Sequence, residues 1–162
     1  MNLIVAVDEN WGIGNNNSLL FSIKQDMKFF RETTMGNTVI MGRKTLDSFP
    51  SGRPLKNREN IVLTRDKNFK REGVTVCHSV DELKELINGA KSDELFVIGG
   101  EQIYNLLLPL CDTAYVTKVG AKKSADAYMV NLDLDKEWEI EHQSEPFLDA
   151  DYPYQFIVYK RK

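Results

Sequence analysis

The chain has 162 residues, 42% of them apolar and 28% charged, with 21 basic against 24 acidic side chains and a net charge of −3. This composition excludes a disordered or low-complexity chain, and the near-balanced charge gives no basic field for nucleic acid or an anionic membrane. No apolar run reaches the ~20 residues of a membrane span, and Met1-Asn2-Leu3-Ile4 lacks the basic start of a signal peptide, so the expectation is one cytoplasmic domain, residues 1–162. Cys77 and Cys111 form no C-x-x-C pair and His78 and His142 are the only histidines, which leaves no zinc site and fits a reducing compartment. Serine-nucleophile, P-loop and G-x-G-x-x-G motifs are absent.

In chain order, the pattern predicts a strand at Leu3–Asp8, a helix at Ile23–Thr33, a strand at Thr38–Met41, a helix at Arg43–Ser48 and strands at Asn60–Thr64 and Val74–Cys77. A helix at Val80–Ile87, a strand at Leu95–Ile98 and a helix at Gln102–Leu108 follow, then strands at Thr113–Val119, Trp138–Gln143 and Tyr154–Lys160. Near-continuous apolar runs such as Leu95-Phe96-Val97-Ile98 suit strands buried on both faces, and their alternation with helices implies βαβ units. The last two strands have no helix between them, so the C-terminal end is expected to turn antiparallel. The fold class is α/β with a mostly parallel mixed sheet.

Ser22 followed by Gln25 reads as a capping box opening the first helix. On a wheel of about 100° per residue, Lys24, Arg31, Lys28, Glu32 and Gln25 make a solvent face. Phe29, Thr33, Phe30, Ile23, Thr34 and Met27 make an apolar arc, and Asp26 falls inside it, near about 300°. Burying a carboxylate without partners costs several kcal/mol. Its two oxygens therefore await a partner. That partner is either a buried hydroxyl or backbone amide, or a ligand that presents an N–H and amino edge for a bidentate pair.

Two apolar strands end in glycine and run straight into helices: Thr38-Val39-Ile40-Met41-Gly42-Arg43-Lys44-Thr45 and Leu95-Phe96-Val97-Ile98-Gly99-Gly100-Glu101-Gln102. Glycine lets the backbone approach a ligand, and a helix N-terminus favours an anion. Arg43 and Lys44 oppose their own helix dipole, a mismatch that a bound phosphate would offset. As a pair on parallel strands, the turns suggest a crevice holding a diphosphate. A third strand ends in Thr64-Arg65, a hydroxyl and guanidinium suited to a phosphate monoester.

These residues, in this order, resemble the dihydrofolate reductase family over nearly the whole chain. The resemblance rests on Ala6, Trp11-Gly12-Ile13-Gly14, Asp26 with Phe30, Val39-Ile40-Met41-Gly42-Arg43-Lys44-Thr45, Gly52-Arg53-Pro54-Leu55, Arg58-Glu59-Asn60-Ile61 and Ile98-Gly99-Gly100-Glu101-Gln102-Ile103-Tyr104. It implies an eight-stranded mixed sheet flanked by four helices. It also implies NADPH-dependent reduction of 7,8-dihydrofolate to tetrahydrofolate, with hydride going to C6 and a proton to N5, in one-carbon metabolism and thymidylate synthesis. By that resemblance Asp26 would hold the pterin's 2-amino and N3 edge, and Tyr104 would sit beside nicotinamide and pterin. Ile4, Phe30 and Ile98 would wall the substrate, Val5, Ala6, Leu19, Met27, Leu55 and Thr117 would also line its site, and Arg58 would take the glutamate carboxylate. The NADPH site would draw on Ala6, Ile13, Gly14, Gly42, Arg43, Lys44, Thr45, Leu63, Thr64, Arg65, Gly99, Gly100, Glu101, Gln102 and Ile103. Arg43, Thr64 and Arg65 would face the 2′-phosphate. Antifolate inhibitors would share the substrate site; neither a metal nor a second copy of the chain is required.

The segment Glu9–Ile23 resembles the family's mobile active-site loop, and its polar run Asn15-Asn16-Asn17-Ser18 has little to pack. Leu19-Leu20-Phe21 stands where the family has Leu-Pro-Trp, so the indole donor and the proline constraint are both lost. Ala125-Asp126-Ala127 stands in place of Gly-Asp-Thr, which puts a contact with the lid in question. Two other readings keep parts of the pattern. A riboflavin-pathway reductase would share the architecture, but its usual H-x-E and P-C-x-x-C deaminase partner is absent. A nucleotide-binding module without chemistry would keep the glycine turns but would not need Asp26.

Overall fold

The computed structural model describes all residues from Met1 to Lys162. Its main sheet has eight strands: β1 (Asn2–Val7), β4 (Thr38–Gly42), β5 (Glu59–Leu63), β6 (Val74–Cys77), β7 (Leu95–Gly99), β8 (Thr113–Val119), β10 (Trp138–Gln143) and β11 (Tyr154–Arg161). They lie in the order β10-β11-β8-β1-β7-β4-β5-β6. All pairings from β8 to β6 are parallel, while β11 runs antiparallel to both β8 and β10. Four helices flank the sheet: α1 (Lys24–Thr34), α2 (Arg43–Ser48), α3 (Val80–Leu86) and α4 (Glu101–Leu107). The mixed sheet with its antiparallel C-terminal end matches the reading of the sequence.

The strand period of two sorts side chains into two layers. Leu3, Val5, Val7, Ile40, Leu95, Val97, Ala114 and Val116 enter the larger core with Leu83 of α3 and Tyr104 and Leu107 of α4. Val39, Met41 and Val62 turn to the other face, where Leu46 of α2 and Phe69 cover them. Also on that face, Phe29 of α1 lies 4.8 Å from Phe156 and 6.3 Å from Tyr115, centroid to centroid. Apart from Thr34, however, α1 buries no side chain fully. Asp26, Phe29, Phe30 and Thr33 on it are only half-buried, and Asp26 borders the crevice described below.

Three strands were not anticipated: β2 (Gly12–Asn15), β3 (Ser18–Leu19) and β9 (Ala127–Tyr128), which form a small separate sheet in the order β3-β2-β9. The polar run expected to pack little is a two-residue hairpin turn, with Asn15 paired to Ser18. Asn16 and Asn17 have φ of 51° and 60°, the left-handed conformation a type I′ turn needs and asparagine tolerates.

The capping box at Ser22 does not form. Ile23 is the N-cap residue, in extended conformation and without a side-chain cap, while Ser22 Oγ reaches Met27 Sδ at 3.6 Å. Ile23 is drawn into a cluster with Val119 and Tyr154, and its burial decides where the helix begins. Where Ser79 and Glu82 open α3, local capping does hold: Ser79 Oγ accepts from Glu82 N at 3.1 Å, and Glu82 Oε2 accepts from His78 N at 2.6 Å.

Candidate active site

The C-terminal ends of β8, β1, β7, β4 and β5 lie side by side along one edge of the sheet. In an open parallel sheet, ligands bind at this edge. Thr117 is near the end of β8, Ala6 near that of β1, and Ile98-Gly99 end β7. Gly42 ends β4 and Leu63 ends β5, with Thr64-Arg65 just beyond it. With neighbouring strands about 4.8 Å apart, this edge runs about 19 Å from β8 to β5.

Asp26 stands at the β8 end. One turn into α1 it faces inward and is half-buried. Thr117 Oγ1 donates to its Oδ1 at 2.6 Å, and Oδ2 has no protein partner. Burial raises the carboxyl pKa above the usual value and the Thr117 hydrogen bond offsets only part of this. The rescuing hydroxyl is therefore 91 residues away, on β8, not on α1 itself. One oxygen is anchored and the other is left for a donor in the crevice.

Beside it, Tyr104 is buried on the far side of the sheet and its hydroxyl donates to the Ile4 carbonyl at 2.7 Å. Burial holds this phenol far above its normal pKa, so it remains a neutral donor. Ile4, Ala6, Ile98 and Thr117 alternate away from the larger core, toward the face that carries α1, on which Phe30 is half-buried. Arg58 lies in the loop before β5, beside Thr34 at the C-terminal end of α1 and so at the opposite end of that helix from Asp26. Its Nη1 donates to Thr34 Oγ1 at 3.1 Å and its Nε to the Lys56 carbonyl at 2.9 Å, with no carboxylate in contact. Burial and the nearby Arg31 charge both lower its pKa, and a guanidinium stays charged regardless. Buried Asn60 fixes the Leu55–Arg58 loop, with Oδ1 accepting from Leu55 N and Nδ2 donating to the Leu55 and Arg58 carbonyls. An unpaired guanidinium on a fixed loop suits a carboxylate.

The glycine turns meet at the other end, as the sequence suggested. Thr45 Oγ1 would lie 3.5 Å from a Cβ on Gly99 and 3.6 Å from one on Gly100, and Gly99 has φ of +130°. The Gly99–Gly100 peptide is cis. A Cβ on Gly42 would stand 2.9 Å from Ile103 Cγ1, so only glycine lets β4 pass α4 this closely. The N-termini of α2 and α4 thus open side by side, an arrangement fit for a diphosphate.

The cations are distributed differently from the expectation. Arg43 is already engaged: its Nη1 lies 3.0 Å from Asp66, its Nε 3.5 Å from Asp47, and its guanidinium 4.7 Å from the centre of the Phe69 ring. Lys44 and Arg65 are exposed and make no ion pair. His78 Nδ1 lies 2.8 Å from the Thr64 carbonyl, placing an imidazole on this ledge that the sequence reading passed over. Asp47 lies four residues after Arg43 on α2, a helical spacing that signals this pair locally, whereas Asp66 and His78 reach the ledge from beyond a loop and had no local signal.

The β2–β3 hairpin is tied down at both ends. Asp126 Oδ2 accepts from Asn16 N at 3.0 Å, and Asp126 N donates to the Gly14 carbonyl at 3.0 Å, so contact with the Ala125-Asp126-Ala127 segment is made. At its tip, Asn17 Nδ2 donates to the Lys44 carbonyl at 3.0 Å. At its base, buried Asp8 accepts from Asn10 N and Gly12 N through Oδ1 and from Lys123 N through Oδ2. Asp8 was read only as the end of a strand; its turn-forming position before Gly12 was the available signal.

Several expected residues sit elsewhere. Val5 and Leu63 turn their side chains into the larger core, because the strand period sends them away from the face of Ile4 and Ala6, and Ile13 of the small sheet packs into the same core. Leu19 and Met27 are exposed, at 80% and 55% of their surfaces; Met27 lies beyond the edge of the inward arc on which the wheel had placed it. Glu101 Oε1 accepts from Tyr128 N at 3.0 Å and so joins α4 to β9. Leu55 and Ile103 are half-buried and Gln102 is exposed.

The comparisons with known proteins agree with this geometry. A family model described as dihydrofolate reductase matches residues 1–161. Curated relatives named dihydrofolate reductase come from Staphylococcus haemolyticus, 37% identical over 99% of this chain and 95% of the relative, and from Bacillus subtilis, 35% identical over 100% and 95%. A solved structure of dihydrofolate reductase from Enterococcus faecalis, complexed with NADP(H) and RAB-propyl, superposes with a TM-score of 0.88 at 32% identity, covering 99% of this chain and 95% of that one. With a strand-edge crevice that carries a lone acid at one end and paired glycine turns at the other, the chain belongs to the dihydrofolate reductase family.

Proposed function

We propose that the β8–β1 end of the crevice binds the pterin of dihydrofolate and the β4–β5 end binds the phosphates of NADPH. The reaction is the family's: NADPH-dependent reduction of 7,8-dihydrofolate to tetrahydrofolate. The observation that carries the assignment of residues is Asp26, held by Thr117 through one oxygen and open to the crevice through the other. The free oxygen and the outer lone pairs of the anchored one accept the pterin's amino and N3 protons. A carboxylate there favours the protonated state of the bound pterin, so a proton at N5 is stabilised as C6 is reduced.

Bound NADPH supplies the hydride. The residues here fit it: glycine turns admit a phosphate to two helix N-termini, and Thr45 places a hydroxyl between them. Thr64, Arg65 and Lys44 supply the hydroxyl and free cations for a 2′-phosphate, with Arg43 joining only by exchanging Asp66 or Asp47 for it. Tyr104 fixes the Ile4 carbonyl, which holds the floor of the crevice where the two ligands would meet. Arg58 takes the glutamate carboxylate. Antifolate inhibitors with a matching amino edge compete for Asp26.

No helix is long and apolar enough to cross a membrane. A monomeric single domain fits this reading, with Asp26 and Thr117 at one end of the crevice and the glycine turns at the other, and the unpaired Cys77 and Cys111 fit a reducing, cytoplasmic compartment. The test is the loss of NADPH absorbance on adding dihydrofolate, with Asp26→Asn in parallel. Turnover in the wild type and little in the variant supports the assignment. NADPH binding without turnover would leave the cofactor ledge standing and remove dihydrofolate as substrate.

A further inference from the structure

Lys123, in the loop between β8 and β9, touches neither end of the crevice, yet it joins four segments that surround it. Its backbone N–H donates to Asp8 Oδ2 at 3.0 Å, at the end of β1. Its ammonium donates to the Leu20 carbonyl at 3.0 Å, just after the β2–β3 hairpin. The same ammonium stands 4.8 Å from the centre of the Phe21 ring and 5.5 Å from that of Tyr152, in the β10–β11 hairpin. Those two rings meet edge to face, with centroids 5.8 Å apart. Phe21 also packs on the cluster of Ile23, Val119 and Tyr154, three residues before the start of α1 and five before Asp26.

A phenylalanine at position 21 has no polar atom with which to fix its own orientation. A cation over its face supplies the anchor, and the carbonyl of the preceding residue sets where the cation sits. We infer that Lys123 is a positioning residue for substrate binding: it holds Leu20-Phe21 as the roof of the pterin end through its ammonium, at the junction of the lid with the β10–β11 hairpin. This rests on the reading of the β2–β3 segment as a lid and of Asp26 as the substrate acid. The glycine turns and Thr45 of the NADPH ledge, three strands away, make no contact with Lys123.

The test compares Lys123→Met, which keeps the length and loses the charge, with Lys123→Arg, which keeps a cation for both rings and the carbonyl. Lys123→Met raises KM for dihydrofolate about fivefold to tenfold, while kcat and the KM for NADPH change less than about twofold. Lys123→Arg recovers the wild-type KM within about twofold, and both variants melt within about 2 °C of the wild type. A KM unchanged in Lys123→Met, or an arginine variant no better than methionine, overturns the inference. A second arm needs no turnover: in the ligand-free protein, relaxation dispersion at the Leu20 and Phe21 amides increases in Lys123→Met. Unchanged exchange there also overturns it. A wild type without turnover would count against the functional reading instead, and the exchange measurement still decides the role of Lys123.

Discussion

Replacing Asp26 by asparagine separates the two things this carboxylate does. Asn can still accept from Thr117 through its carbonyl oxygen, so the 2.6 Å contact has a successor. Its amide N–H₂, however, replaces Oδ2 and faces the pterin's own donors. The loss is one charge-assisted pair of hydrogen bonds, about 3–4 kcal/mol for two bonds to a charged group, which is about 10²–10³ in kcat/KM for dihydrofolate. Binding of NADPH is expected to hold within about twofold, because β8 and β4 are separated by three strand spacings, about 14 Å. Stability should move the other way. A carboxyl pKa raised on folding means the folded state holds this proton more tightly than the unfolded chain. Its contribution to stability is present below the unfolded value and lost as pH rises through the folded one. At neutral pH the ionised Asp26 therefore costs stability, and Asn removes that cost. The ligand-free variant should melt higher than the wild type at pH 7, and the advantage should shrink as pH falls and Asp26 takes up its proton. Steady-state rates, NADPH titration and melting curves at several pH values check all three. A kcat/KM loss below tenfold, or a variant that melts lower at pH 7, would refute the reasoning.

Arg58→Ala should raise KM about 10- to 100-fold for folates that carry the glutamate, and leave a pterin lacking that tail unaffected, as paired titrations would show. Gly42→Ala forces a Cβ to within 2.9 Å of Ile103 Cγ1; overpacking of this kind costs about 1–3 kcal/mol and should lower both melting temperature and NADPH affinity. Tyr104→Phe leaves the Ile4 carbonyl without its donor, a loss of about 1–3 kcal/mol readable by chemical denaturation. Arg65→Ala should narrow the preference for NADPH over NADH by about tenfold, measured as the ratio of their kcat/KM values.

The strands and helices of the main sheet were legible because their signals are local. Apolar runs between glycine turns mark Thr38–Gly42 and Leu95–Gly99, and a helical period marks Lys24–Thr34. The same period singled out Asp26, since a charge on an apolar arc is visible without any partner. Glycine followed by a helix marked the ledge at Gly42 and Gly99-Gly100 before the adjacency of β4 and β7 was known. Family-level motifs extended this to the substrate and cofactor.

Tertiary structure alone decided who satisfies whom. The Thr117 hydroxyl lies 91 residues from Asp26, and a wheel sees only neighbours on its own helix. Arg43, expected at a phosphate, is held by Asp47 four residues on along α2 and by Asp66, and the Asp66 pairing depends on how the loop after β5 folds over Phe69. The small β3-β2-β9 sheet escaped notice because its strands are two to four residues long and polar, and its third member arrives from position 127. The start of α1 likewise went against its local cap, because burying Ile23 among Val119 and Tyr154 outweighs one hydroxyl hydrogen bond. Periodicity reports which face a residue takes, a property of its own segment; hydrogen bonds and ion pairs between distant segments form only when the fold brings them within about 3 Å, and no spacing along the chain encodes that distance.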